Sequence, residues 1–187
     1  LVGREEFANK PIVLQDWQAF LIANIYGWKY RKNGYRKYKK VYLQIARKNS
    51  KTTVSSVLSI DNAITDPENG GQIYFAATNK EQAELCFDMA KRMVGEMGRM
   101  YKSFKPICNV WRNSIEFVNT QTVMKAVTGD PSSLEGMGAK CAIIDEVHVH
   151  KDDKLINSIS KGQVLHHSPL LIMITTAGYD KTENAPA

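Results

Sequence analysis

The chain lacks the features that would place it in several large classes. Its three cysteines, Cys86, Cys108 and Cys141, are odd in number and widely spaced, which argues against a disulfide framework. The last two sit in apolar strand-like runs, as reduced core thiols of a cytosolic protein would. No apolar run approaches the roughly 20 residues a membrane span needs, and no secretory pattern opens the chain, so no membrane attachment is expected. Neither an internal repeat nor a low-complexity tract interrupts it. With 187 residues and 43% hydrophobic content, it suits one well-buried domain rather than two.

Acidic residues are missing where basic ones gather. From Lys29 to Lys51 there are ten Lys or Arg and no Asp or Glu, interleaved with Tyr30, Tyr35, Tyr38 and Tyr42, against a net charge of +6 for the whole chain. Such a segment can track a nucleic-acid backbone or hold nucleotide phosphates, and it can equally be a solvated basic loop.

Glycine is missing from "QIARKNSKTT" (44–53), which otherwise has the outline of a phosphate-binding loop, G-x-x-x-x-G-K-[ST]. Lys51 and Thr52 fill the last two places, but Ile45 and Ser50 stand where the glycines belong. Such a loop aims backbone N–H groups and a helix N-terminus at an anion, with a Lys as point charge and a hydroxyl on Mg²⁺. Glycine serves there because some positions need φ > 0; a serine at position 50 accepts strain if that conformation is required. Taken alone, the stretch also reads as a lysine-rich turn.

Periodicity supplies the frame. "DWQAFLIANIYGW" has helical spacing ending near Gly27, and "TTVSSVLSIDNAI" recovers a helical period after Lys51. "KEQAELCFDMAKRMVGEM" is a long amphipathic helix that Thr78 or Asn79 can cap, and its stripe of Met89, Met93, Met97 and Met100 suits a core or partner-facing surface. "KVYLQIA" (40–46), "GQIYFAA" (71–77) and "CAII" (141–144) are apolar strands, and "PLLIMITTAG" (169–178) is a last buried strand ending in hydroxyls and a glycine. The segment 106–128 reads as strands with turns at Arg112-Asn113 and Asn119-Thr120. "GDPSSLEGMGAK" (129–140) is a glycine-rich loop, and Asp152 is placed to cap a short helix through Ser160. Alternating helices and strands with nearly continuous apolar runs predict an α/β fold, its mostly parallel sheet covered on both faces.

In such sheets ligands bind beyond the carboxyl ends of the strands. Three polar clusters fall there: "ARKNSKTT", "DEVH" and "TTAG". Asp145 would hold a Mg²⁺ shell beside the phosphates, and Glu146 would polarise an attacking water as general base. Thr175 and Thr176 could sense the γ-phosphate. His148 is expected near the nucleotide or the "TTAG" strand. His148, His150, His166 and His167 have weak spacing for zinc.

These pieces, in this order, resemble the ATPase domain of the tailed-phage terminase large subunit, the motor that packages viral DNA. "DWQAFLIANIYGW" looks like the family's adenine-recognition segment, which makes Gln18 the adenine reader by resemblance. "ARKNSKT" looks like its variant phosphate loop, in which the first glycine is routinely missing; Ser50 departs where glycine is usual. "AATNKEQAELCFDMAKRMV", "LEGMGAKCAIIDEVH" and "ITTAG" resemble its next strand and helix, its Walker B region and its coupling motif.

The resemblance implies a P-loop NTPase fold of the ASCE type, with residues 1–178 forming the ATPase domain and 1–40 its adenine-recognition helix and basic segment. Residues 179–187 would begin a linker to a C-terminal nuclease domain absent from this chain, so no DNA cleavage is expected. ATP would be held by Gln18, Ala46, Arg47, Lys48, Asn49, Ser50, Lys51, Thr52, Thr53, Thr175 and Thr176, and Mg²⁺ by Thr52 and Asp145. Glu146, Arg47 and Lys51 would be catalytic, with Arg47 acting in cis on the γ-phosphate. The implied partners are double-stranded DNA, a portal protein, a small terminase subunit and further copies of the chain in a ring, in a host cytoplasm. Two rivals remain: a DExH-type helicase fragment, since "DEVH" fits that signature, and a non-catalytic DNA-binding module with a degenerate loop.

Overall fold

A computed structural model describes residues 12–65, 69–128, 138–150 and 152–176. Most of the glycine-rich loop at 129–140, as well as Gly178 and the expected linker at 179–187, lies outside the described residues.

The elements follow as α1 (Asp16–Gly27), β1 (Lys40–Gln44), α2 (Lys51–Thr65), β2 (Gln72–Ala77), α3 (Lys80–Met100), β3 (Cys108–Val110), β4 (Ile115–Phe117), β5 (Thr122–Thr128), β6 (Ala139–Ile144), α4 (Lys154–Gly162) and β7 (Leu170–Thr175). The strands form one seven-stranded sheet in the order β1-β7-β6-β2-β5-β4-β3. Pairings from β1 through β5 are parallel, while β4 and β3 add an antiparallel end.

Side-chain alternation along the central strands builds two cores. Ile73, Phe75, Cys141, Ile143, Ile172 and Ile174 face one way and pack with Val54 and Leu58 of α2 and Phe87, Ala90 and Met93 of α3. Tyr74, Ala76, Ala142, Ile144 and Leu171 face the other way, onto Leu155 and Ile159 of α4. Both faces of β2 and β6 are therefore buried, which is why these strands read as unbroken apolar runs. β1 differs: it is an edge strand whose residues alternate between exposed and half-buried.

Local chemistry sets the helix boundaries. The Oδ1 of Asn79 accepts the N–H of Gln82 at 2.8 Å, capping α3 as expected. The methionine stripe of α3 buries Met89 and Met93 and leaves Met100 exposed. In α2, the hydroxyls of Ser55, Ser56 and Ser59 donate to carbonyls four residues back. Buried serines are thereby satisfied within the helix, and their small size lets α2 approach α3, where the Ser56 hydroxyl also lies 3.1 Å from the Cys86 carbonyl. The expected cap of α4 is displaced by one residue. Asp153 occupies the N-cap position, and the Asp152 carboxylate instead accepts the Lys154 N–H at 3.1 Å. A carboxylate two residues before the N–H can reach it from a turn, so sequence pattern alone does not separate the two aspartates.

Candidate functional site

The parallel strands β1, β7 and β6 end side by side, so the three polar clusters meet at one end of the sheet. The link from β1 to the loop is short: the Ile45 N–H still donates to the Thr175 carbonyl at 3.1 Å before the chain leaves the sheet. Residues Ala46 to Ser50 are all exposed. Lys48 (φ 67°) and Ser50 (φ 56°) adopt left-handed backbone, which is the conformation glycine takes at least cost. The chain turns at Arg47 and Lys48, and among the described residues no backbone N–H from Lys51 to Thr53 donates to a backbone carbonyl. Those at Lys51, Thr52 and Thr53 open α2, whose first turn contains no acidic residue. The result is a cluster of unspent donors at a helix N-terminus, suited to an anion.

The strain at Ser50 leads to a measurable expectation. A left-handed non-glycine residue costs about 1–2 kcal/mol, while a glycine loses about 0.5–1 kcal/mol more entropy on folding. Ser50→Gly should therefore raise the melting temperature by about 2 °C in a chain of this size, as read by calorimetry. A fall of similar size would show that the serine side chain stabilises the loop.

Across from the loop stand the two carboxylates that follow β6. Lys51 Nζ lies 3.4 Å from Glu146 Oε1, bridging 95 residues of sequence, with both side chains partly buried. The other Glu146 oxygen, Oε2, accepts the Thr176 hydroxyl at 3.3 Å and sits 3.3 Å from His148 Nδ1. Glu146 itself is left-handed, at φ 50° and ψ 50°. Its N–H donates to Asp145 Oδ1 at 2.9 Å, and its carbonyl accepts the Val149 N–H at 2.9 Å. These bonds hold a conformation that would otherwise be sparsely populated and aim the carboxylate back toward α2.

Asp145 is buried, and its Oδ2 accepts Gln82 Nε2 at 3.2 Å and the Cys86 thiol at 3.7 Å. Burial pushes the Cys86 thiol well above its usual range, and the Asp145 charge pushes it further. It is therefore a protonated donor rather than a nucleophile. These partners of Asp145 are neutral, and among the described residues no cation forms an ion pair with it. A buried carboxylate without a counter-charge is a favourable place for a cation. No group of three or more Asp, Glu, His or Cys forms a metal cage among the described residues. Asp145 and, at the start of α2, the half-buried Thr52 are the residues that could share a hard ion with phosphate oxygens.

His148 reaches the β7 end, with Nδ1 2.6 Å from Thr175 Oγ1. The Thr175 hydroxyl donates to the Thr176 carbonyl at 3.1 Å, so its proton is spent and the oxygen accepts. With the Glu146 carboxylate oxygen Oε2 also 3.3 Å away, a proton on His148 Nδ1 would satisfy both neighbours, whereas the other tautomer would take the Thr175 proton.

The remaining expected site residues are less engaged. Arg47 is exposed in the loop. Asn49 Nδ2 donates across the loop to the Ala46 carbonyl at 3.4 Å. Thr53 is half-buried in the first turn of α2. Gln18 is buried, but its Oε1 accepts the Gln15 N–H at 3.0 Å in a capping box at the start of α1. Its amide nitrogen and the second lone pair of Oε1 are left to meet a purine. The sequence alone does not single out Gln82 and Cys86. Their spacing of four puts them on one face of α3, but only the pairing of β2 beside β6 brings that face to Asp145.

A strand feeding an anion-binding loop and helix, with an acidic pair on a neighbouring strand and hydroxyls on the strand between, defines the phosphate-loop class of nucleotide-binding α/β domains. The family model "Terminase large subunit, ATPase domain" matches residues 16–185, and the chain belongs to that family. The large terminase subunit of Enterobacteria phage HK97 is 27% identical over 139 residues, covering 72% of this chain and 27% of that protein. The crystal structure of the HK97 bacteriophage large terminase superposes with a TM-score of 0.73 at 24% identity, over 89% of this chain and 34% of the other. The ATPase domain of the Thermus phage P74-26 large terminase gives a TM-score of 0.60 at 18% identity, over 91% of this chain and 72% of the other. The chain thus spans about a quarter to a third of the HK97 terminase.

Proposed function

We propose that this chain is the ATPase motor domain of a phage terminase large subunit, hydrolysing ATP with Mg²⁺ to move double-stranded viral DNA into a procapsid. The observation that carries the reading is the 3.4 Å contact between Lys51 and Glu146. It joins the loop lysine to the carboxylate that an attacking water would need, and Glu146 is tied in turn to Thr176 at the end of β7.

In this reading the backbone N–H groups from Ala46 to Thr53 bind the phosphate oxygens, and the Lys51 ammonium balances their charge. Glu146, released from Lys51 when phosphate takes the ammonium, accepts a proton from the water that attacks the γ-phosphorus. The bond from that phosphorus to the β–γ bridging oxygen breaks, giving ADP and phosphate. Arg47, on the exposed loop, would stabilise charge on the transferred group. Thr52 and Asp145 would hold Mg²⁺, which supplies charge neutralisation at the phosphate oxygens. Thr175 and Thr176 respond to loss of the γ-phosphate through Glu146 and His148. The portal, small subunit and ring neighbours implied by the family would turn that response into DNA movement.

The direct test is Mg²⁺-dependent phosphate release from ATP by the 187-residue chain. Calorimetry showing no ATP binding at millimolar nucleotide, with DNA binding intact, would replace this reading with that of a non-catalytic module. Unwinding of a duplex in a strand-displacement assay on the full-length protein would replace it with a helicase.

Gln82 tests the metal assignment separately. Removing its hydrogen bond in Gln82→Ala should raise the half-saturating Mg²⁺ for hydrolysis by about tenfold, as loss of a residue orienting a metal ligand does. Metal-free nucleotide binding should stay unchanged. An unaltered Mg²⁺ dependence would remove Asp145 from the metal site.

A further inference from the structure

The basic segment before β1 folds into a small hairpin at the end of the sheet opposite the phosphate loop. Lys29 bridges Arg36 in antiparallel fashion, and the Tyr30 N–H donates to the Tyr35 carbonyl at 2.9 Å. Gly34 at φ 71° makes the turn. Arg36 pins the hairpin to the body: it is 4% exposed, its guanidinium lies 4.8 Å from the Tyr26 ring centroid, and its N–H donates to the Ser168 hydroxyl at 3.2 Å. Tyr35 stacks on His167 at 4.9 Å. A flexible basic tail would show none of these anchors.

What the hairpin presents outward is positive charge without counter-charge. Lys29, Arg31, Lys32, Lys39 and Lys40 are exposed, and among the described residues none has an acidic partner. Lys37 covers the rings of Trp28 and Tyr38, at 5.5 Å and 5.7 Å from their centroids. Those aromatic faces are thus partly occupied and poor platforms for stacked bases. Tyr30 stays exposed beside them, so it is the row of unpaired cations on an anchored hairpin, outnumbering the free rings, that suits the phosphate backbone of a duplex.

We infer that the hairpin at residues 28–40 is a docking surface for the backbone of duplex DNA, with Lys29, Arg31 and Lys32 as principal phosphate contacts. The inference rests on the proposed function only for the kind of partner. The surface is separated from the nucleotide site by the length of β1, about 17 Å for five extended residues.

The test is fluorescence anisotropy of a labelled duplex of about 30 base pairs, long enough to cover a single-domain footprint, with the wild-type chain and with Lys29→Ala/Arg31→Ala/Lys32→Ala. The triple variant should bind about tenfold or more weakly, alike for unrelated sequences, and its log K against log salt slope should shrink by about 1 for each phosphate that no longer meets a cation. Since the three side chains are exposed, its melting temperature and its ATP binding should match wild type. A control variant, Lys80→Ala/Lys102→Ala/Lys105→Ala, removes the same charge from elsewhere on the surface. An unchanged salt slope in the hairpin variant, an equal weakening in the control, or tighter binding to a single strand of the same length would each overturn the assignment. If the wild-type chain fails to bind or hydrolyse ATP while the hairpin variant still binds duplex more weakly, the motor reading fails and this inference stands.

Discussion

Glu146→Gln is expected to lower single-turnover ATP hydrolysis by about 10²–10⁴-fold, the usual worth of a positioned general base. ATP affinity should stay within a few-fold. The amide has the shape of the carboxylate, so its oxygen can still accept from Thr176 or Lys51, and the left-handed turn held by Asp145 is untouched. Proton acceptance is what disappears. Rapid-quench hydrolysis beside equilibrium binding of a fluorescent ATP analogue separates the two quantities. Turnover within twofold of wild type would remove Glu146 from the chemistry and leave it as a structural partner of Lys51.

Lys51→Ala should have the converse signature, with binding weakened first. The ammonium is the only side-chain charge in the first turn of α2, where Thr52, Thr53 and Val54 follow it. Its absence should weaken ATP binding by about 10²-fold, in line with removal of a charge-assisted hydrogen bond to phosphate in a desolvated site. A collapse of the fold would mimic that result, so its size matters. The Lys51–Glu146 pair is partly exposed, with side-chain accessibilities of 13% and 26%. Its removal should therefore cost about 1 kcal/mol at most after solvent screening, or roughly 2–4 °C in melting temperature. Calorimetric titration of ATP and a thermal melt on the same sample check both halves. Binding within threefold of wild type would mean that the loop does not hold phosphate through this residue.

The two substitutions also probe one another. Lys51 donates to Glu146 Oε1, so in the proposed mechanism a bound phosphate competes with that carboxylate for the ammonium. Lysine removal frees the base but leaves it without a bound substrate. The double variant should consequently hydrolyse no more slowly than the worse single variant, the non-additive behaviour of residues that act as one unit.

Much of this site is legible in the chain because its parts are local. The run "ARKNSKTT" contains its own strand exit, donors, lysine and hydroxyl, and backbone geometry links them over a few residues. "CAIIDE" likewise carries its strand and carboxylates together. A continuous apolar strand is stable only when buried on both sides, so the α/β class and the helices on both faces follow from composition and period alone. The missing glycine already poses the left-handed state of Ser50 as a question about φ.

Other features depend on which strand lies beside which. Gln82 and Cys86 point at Asp145 only because β2 pairs with β6, and Thr176 meets Glu146 only because β7 lies between β1 and β6. The anchoring of the basic hairpin by Ser168 and His167 spans more than a hundred residues and has no trace in local periodicity. Spacing along a chain specifies which residues share a helix face or strand end. Lateral order in a sheet is decided by the packing of all the strands at once. The residues that make nucleotide chemistry conceivable were therefore written in the sequence, whereas the contacts that orient them were decided only by the assembled sheet.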